Sequence, residues 1–183
     1  MSTPARLRRT YFDCRFGQLH VHQAIPPGGG FDEATALLCL PGARGLGSFF
    51  STLLAPLGNN RSIYAPDLPG FGGSDPVPGV ADAEQWACAA ADLLDSLRQR
   101  RVDVLAHGEG AQIALALVAQ RPELVRRIGW SAASPAALAR ARQRGVVTCK
   151  FSLAEAGDAT ITESALRSQL NDLIEFFGAG SAA

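Results

Sequence analysis

The sequence has no surplus of either charge: seventeen Lys and Arg residues balance seventeen Asp and Glu residues over 183 positions. A chain so balanced is poorly suited to nucleic acid or to an anionic membrane surface as its main partner. No run of about 18 consecutive apolar residues occurs, so no transmembrane helix is expected. The opening MSTPARLRRT has no apolar stretch of the signal-peptide kind. Its basic residues Arg6, Arg8 and Arg9 read as part of a solvated tail over residues 1–10. Cys14, Cys39, Cys88 and Cys149 are scattered without a C-x-x-C pair, and read as buried free thiols in a reducing, cytoplasmic compartment. Neither G-x-x-x-x-G-K-[ST] nor G-x-G-x-x-G is found, so the glycine-rich Pro41–Gly47 is not a nucleotide cradle. The expectation is a protein without cofactor or metal, binding neither nucleic acid nor membrane.

What is present is an ordinary globular composition, 47% hydrophobic and 19% charged, enough for one domain over residues 1–183 with a short tail at 179–183. Tyr11–Arg15 and Leu19–Ala24 read as a hairpin around Gly17. Strand alternation puts His20 and His22 on one face, expected to be an exposed polar one. Ala34–Leu40 is a continuous apolar run of the kind buried on both faces of a parallel sheet. Arg61–Pro66 reads as the next strand, followed by the glycine-rich turn Asp67–Asp75. Asp82 with Gln85 makes a capping box for a helix to about Arg100, with Trp86, Ala90, Leu93, Leu94 and Leu97 as its stripe.

Further on, Leu124–Trp130 and Val146–Leu153 read as strands. Ser134-Pro135 opens a helix that Gly145 closes. Thr160 with Glu163 caps a last helix, whose stripe is Leu166, Leu170, Leu173, Ile174 and Phe177. Strands and helices thus alternate from Ala34 onward. That order predicts an α/β fold, a mostly parallel, doubly wound sheet flanked by helices.

The most informative stretch is Val102–Gln120, VDVLAHGEGAQIALALVAQ. An apolar strand enters a tight turn and an apolar-faced helix leaves it, as in a nucleophile elbow written Gly-x-Ser-x-Gly. Here the five positions read Ala106-His107-Gly108-Glu109-Gly110. Gly108 stands where the attacking oxygen belongs.

LLCLPGARG, APDLPGFGGSD, VDVLAHGEGA and RPELVRRIGW follow one another in an order that resembles the α/β-hydrolase superfamily of lid-bearing esterases and epoxide hydrolases. The resemblance covers about residues 11–131. It implies an oxyanion loop at LLCLPGARG, a D-x-x-G-x-G-x-S-D turn in which Ser74 is structural, and an elbow at Gly108. By the same resemblance, the tail places Asp158 of Ala156-Gly157-Asp158 where the family has its catalytic histidine. No histidine follows His107. The family's lid and acid-bearing strand read as deleted, a reduced fold lacking at least one C-terminal strand.

Triad hydrolysis needs an attacking oxygen, a base and an orienting acid. Gly108 supplies no oxygen. Asp158 is a carboxylate, a group whose unperturbed pKa of ~3.9 makes it a poor proton acceptor beside an imidazole at ~6.5. The acid has no counterpart. The backbone N–H groups of Ala43 and Glu109 would still face the oxyanion position, but such a remnant retains only ~10³–10⁴ over water. The expected function is therefore a catalytically inactive pseudo-hydrolase that binds a partner or a small apolar ligand. One alternative is an active, esterase-like hydrolase using displaced residues such as His107 and Glu109. A structural subunit of a larger assembly is another. A shortened sheet edge or open mouth also predicts a homodimer or a protein partner.

Overall fold

A computed structural model describes residues 4–29, 34–153, 161 and 163–178. Seven strands form one sheet in the order β1-β2-β4-β3-β5-β6-β7. They are β1 (Arg6–Cys14), β2 (Gly17–Ile25), β3 (Leu37–Leu40), β4 (Ile63–Pro66), β5 (Val102–His107), β6 (Val125–Ser131) and β7 (Val147–Phe151). β2 pairs antiparallel with β1 on one side and with β4 on the other, and the remaining pairings are parallel. Among the described residues, α1 (Ser51–Leu57), α2 (Ala83–Ser96), α3 (Gly110–Gln120) and α4 (Pro135–Gln143) lie between strands, and α5 (Glu163–Gly178) follows β7.

The apolar runs explain the layering. In β3, Leu38 and Leu40 join one core cluster with α2, α3 and α4. Leu37 and Cys39, one residue out of phase, join the other with α1 and α5. A strand with a period of two that is apolar at every position must be covered on both faces. β5 does the same: Val102, Val104 and Ala106 go to one cluster, and Leu105 to the other. The mostly parallel, doubly wound architecture expected from the sequence is what the chain forms.

Local signals set the helix starts. Asp82 accepts from the Gln85 N–H while the Gln85 side chain returns to the Asp82 N–H, a reciprocal box worth ~1 kcal/mol. Ser134 accepts from the Ala137 N–H ahead of Pro135. The Thr160 cap and the Ala156-Gly157-Asp158 segment lie outside the described residues.

Three expectations need correction. Residues 6–10 are not tail: β1 begins at Arg6 and pairs Arg6 with Ile25 through Cys14 with Gly17. Its side chains are mostly exposed, so composition concealed a strand held by backbone pairing. Of the cysteines, all four free, Cys39 alone is buried and the other three are half-buried. Ile174, read as core, is 45% exposed, whereas Leu173 and Phe177 fill the stripe. No helix among the described residues is long and apolar enough to cross a membrane.

Candidate active site

The four inner parallel strands β4, β3, β5 and β6 all run the same way, so the segments after β3, β4 and β5 gather at one end of the sheet. Three sequence motifs meet there: the Pro41–Gly47 loop, the Asp67–Asp75 turn and the Ala106–Gly110 elbow.

The elbow keeps its strained geometry. Gly108 has φ +52°, in the left-handed region that glycine enters freely. Its N–H donates to the Ser131 carbonyl at 2.8 Å, and its own carbonyl accepts from Ala111 at 3.1 Å. Apart from its two chain neighbours, a Cβ at Gly108 would meet only the Gly42 Cα, at 3.7 Å, so no distant segment fills the space above the turn. Gly110 is a different case. A Cβ there would lie 2.3 Å from the Leu40 carbonyl oxygen, so only glycine lets α3 start this close to β3.

The two side chains flanking Gly108 go opposite ways. His107 is buried, stacks on Phe49 with ring centroids 4.3 Å apart, and places Nδ1 3.3 Å from Ser131 Oγ. Ser131 Oγ in turn accepts from the Leu153 N–H at 3.2 Å. His107 thus ties the elbow to the ends of β6 and β7. Glu109 is exposed and folds back across the turn, where its carboxylate accepts from the Ala43 N–H at 2.8 Å. Of the two amides read as oxyanion donors, Ala43 is therefore already engaged by a carboxylate. Sequence alone could not bring together residues 66 positions apart. Asp158 lies outside the described residues.

A second group of polar side chains sits two strands away. Asp67, which is buried, takes the Gly47 N–H on Oδ1 at 2.8 Å and the Gly73 N–H on Oδ2 at 3.1 Å. His20 Nδ1 lies 2.8 Å from the same Oδ2, and His22 Nε2 lies 3.7 Å from Oδ1. Burial works to raise the Asp67 pKa, but the His22 and His20 imidazoles and the Gly73 and Gly47 N–H groups outweigh it. They hold the carboxyl well below the usual carboxylate range. Ser74 Oγ donates to the Asp67 carbonyl at 2.7 Å and accepts from the His20 N–H at 2.9 Å.

The two histidines are therefore not on an open polar face. Their side chains are only 15% and 12% exposed, because the Asp67–Asp75 turn folds over β2. The glycines of that turn make this possible: a Cβ at Gly72, where φ is +53°, would come 2.1 Å from Asp67 Oδ2.

Residues 37–180 match the sequence profile of the α/β hydrolase family. A 2-hydroxymuconate semialdehyde hydrolase of Pseudomonas putida is 37% identical over 89 residues, 48% of this chain and 30% of that protein. A 2-hydroxy-6-oxo-2,4-heptadienoate hydrolase of Pseudomonas putida is 33% identical over 78 residues, 42% of this chain and 28% of that protein. The matched part spans less than a third of either relative. Among solved structures, the naproxen esterase of Bacillus subtilis superposes with a TM-score of 0.62 at 22% identity, covering 70% of this chain and 44% of the other. An epoxide hydrolase of Vigna radiata gives a TM-score of 0.60 at 22% identity, over 68% and 39%. These likenesses show the fold.

The relatives overturn one expectation. An inactive protein that acts by binding alone was the reading drawn from Gly108 and Asp158, yet the sequence relatives are named as hydrolases. Loss of the elbow hydroxyl removes one route to hydrolysis; it does not remove the fold's other polar groups. With an intact elbow backbone and a family profile matched over residues 37–180, this chain belongs to the α/β hydrolase family.

Proposed function

We propose that this chain is a hydrolase that cleaves a carbonyl-bearing substrate with Glu109 as the water-activating base. The observation that carries this reading is the position of the Glu109 carboxylate. It is exposed, follows directly on the turn glycine, and holds the Ala43 N–H at 2.8 Å across the open space above Gly108. The relatives support the substrate class, since their names give 2-hydroxymuconate semialdehyde and 2-hydroxy-6-oxo-2,4-heptadienoate as substrates.

The chemistry follows from the groups at hand. A water takes the volume above Gly108 that a nucleophilic side chain would fill. Glu109, being exposed, rotates off Ala43 and accepts a proton as that water adds to the substrate carbonyl carbon. The tetrahedral oxyanion then accepts from the Ala43 and Glu109 N–H groups, the first of which the Glu109 carboxylate releases as it moves. Collapse of the intermediate breaks the bond to the leaving group, which takes the proton back from Glu109. His107, buried under the turn, acts as a positioning residue that links the elbow to Ser131.

Turnover of 2-hydroxymuconate semialdehyde and of a short p-nitrophenyl ester by the purified chain tests the proposal. Hydrolysis of either, lost in Glu109→Gln, is the expected result. Hydrolysis that persists in Glu109→Gln but is lost in His107→Ala would transfer the base to His107. No hydrolysis of either substrate by the wild-type chain would overturn the proposal.

A further inference from the structure

We propose that His20, His22 and Asp67 form a binding site for a single divalent transition-metal cation of the zinc type. The three residues each offer one ligand atom, and these atoms all lie within 4.8 Å of one another. Zinc holds imidazole nitrogen and carboxylate oxygen at about 2.0–2.2 Å, which places neighbouring ligands of a tetrahedron roughly 3.3 Å apart. His20 Nδ1 lies 2.8 Å from Asp67 Oδ2 and His22 Nε2 lies 3.7 Å from Asp67 Oδ1, so each imidazole faces one oxygen of the same carboxylate at close to that spacing.

A purely structural role explains only part of this cluster. Asp67 anchors the Gly47 and Gly73 N–H groups by itself, and His20 adds a normal hydrogen bond. His22 Nε2, at 3.7 Å, lies beyond hydrogen-bond length of the carboxylate it faces. It nevertheless meets the His20 ring edge to face, with centroids 4.8 Å apart. Two imidazoles thus converge on one carboxylate, and the three ligand atoms lie within 4.8 Å of one another.

The surroundings supply what a metal site requires. β2 is paired on both sides, by β1 and β4, so His20 and His22 project from a rigid strand at positions i and i+2. Hydrogen bonds from Gly47 and Gly73 orient the carboxylate, the role that outer-shell donors play around bound metals. The modest exposure of both histidines provides an entry path, and three protein ligands leave one coordination position open. Imidazole and carboxylate together favour zinc, cobalt, nickel or copper over magnesium or calcium.

The test is titration of the chelator-treated full chain with zinc chloride by calorimetry, and with cobalt chloride by absorption. One equivalent should bind, and cobalt should give d–d bands without a thiolate charge-transfer band, which excludes the free cysteines as ligands. His22→Asn, whose side chain carries no hydrogen bond to Asp67, should keep the wild-type circular dichroism spectrum and bind at least about tenfold more weakly. Absence of stoichiometric binding by the wild-type chain would overturn the proposal. So would equal affinity in His22→Asn, or a thiolate band with cobalt.

Discussion

The elbow at Ala106–Gly110 and the turn at Asp67–Asp75 stand at the same end of the sheet, yet they have developed in opposite directions. The elbow retains its backbone, with φ +52° at Gly108, and carries no side chain at its apex. The turn carries a buried carboxylate faced by two imidazoles and two backbone amides, with the Ser74 hydroxyl bonded to the same residue's backbone carbonyl. One loop joins them: Ala43 donates to Glu109 near its start and Gly47 donates to Asp67 at its end. The contrast shows that backbone geometry and side-chain chemistry are separable in this fold. A turn keeps its shape through glycines that neighbouring backbone atoms demand, whatever the apex side chain does.

Gly110→Val attacks that geometry directly, since its Cβ would approach the Leu40 carbonyl oxygen at 2.3 Å. It should cost about 4 kcal/mol, read as a lowered midpoint in urea unfolding. Asp67→Ala attacks the other turn and strips the acceptor from Gly47, Gly73 and His20. Its expected cost is about 3 kcal/mol in the same assay. A loss below about 1 kcal/mol would show that the turn stands without its hub.

Glu109→Gln should leave stability within ~0.5 kcal/mol, because the residue is exposed and the amide oxygen still accepts from Ala43. It should lower kcat about a hundredfold, equivalent to about 2.7 kcal/mol of transition-state stabilisation. Gly108→Ser completes the series. Its Cβ meets nothing closer than 3.7 Å, so thermal unfolding should register only the left-handed backbone strain, about 1 kcal/mol.

Much of the fold was legible because its signals are local. The Asp82–Gln85 box, the Ser134-Pro135 start and the two-faced runs Leu37–Leu40 and Val102–Ala106 each act within a few residues. The elbow could be located for the same reason: a strand, a glycine turn and a helix adjoin one another in sequence. β1 was only partly legible, since exposed strands paired through the backbone leave a weak pattern in side chains. The histidine pair was located on one strand face but its surroundings were misread. Nothing near His20 and His22 signals Asp67, 47 residues later than His20.

By itself the sequence determined the layered α/β architecture, the order of its elements and the empty apex at Gly108. Periodicity, caps and glycine turns are short-range physics, and they are written where they act. Only the tertiary structure decided that Glu109 reaches back to Ala43, that His107 turns inward beneath Phe49, and that Asp67 gathers two imidazoles. Those contacts depend on which strands become neighbours. Sheet order sets which distant segments converge at one end of the sheet, and hence where a charge finds its partner.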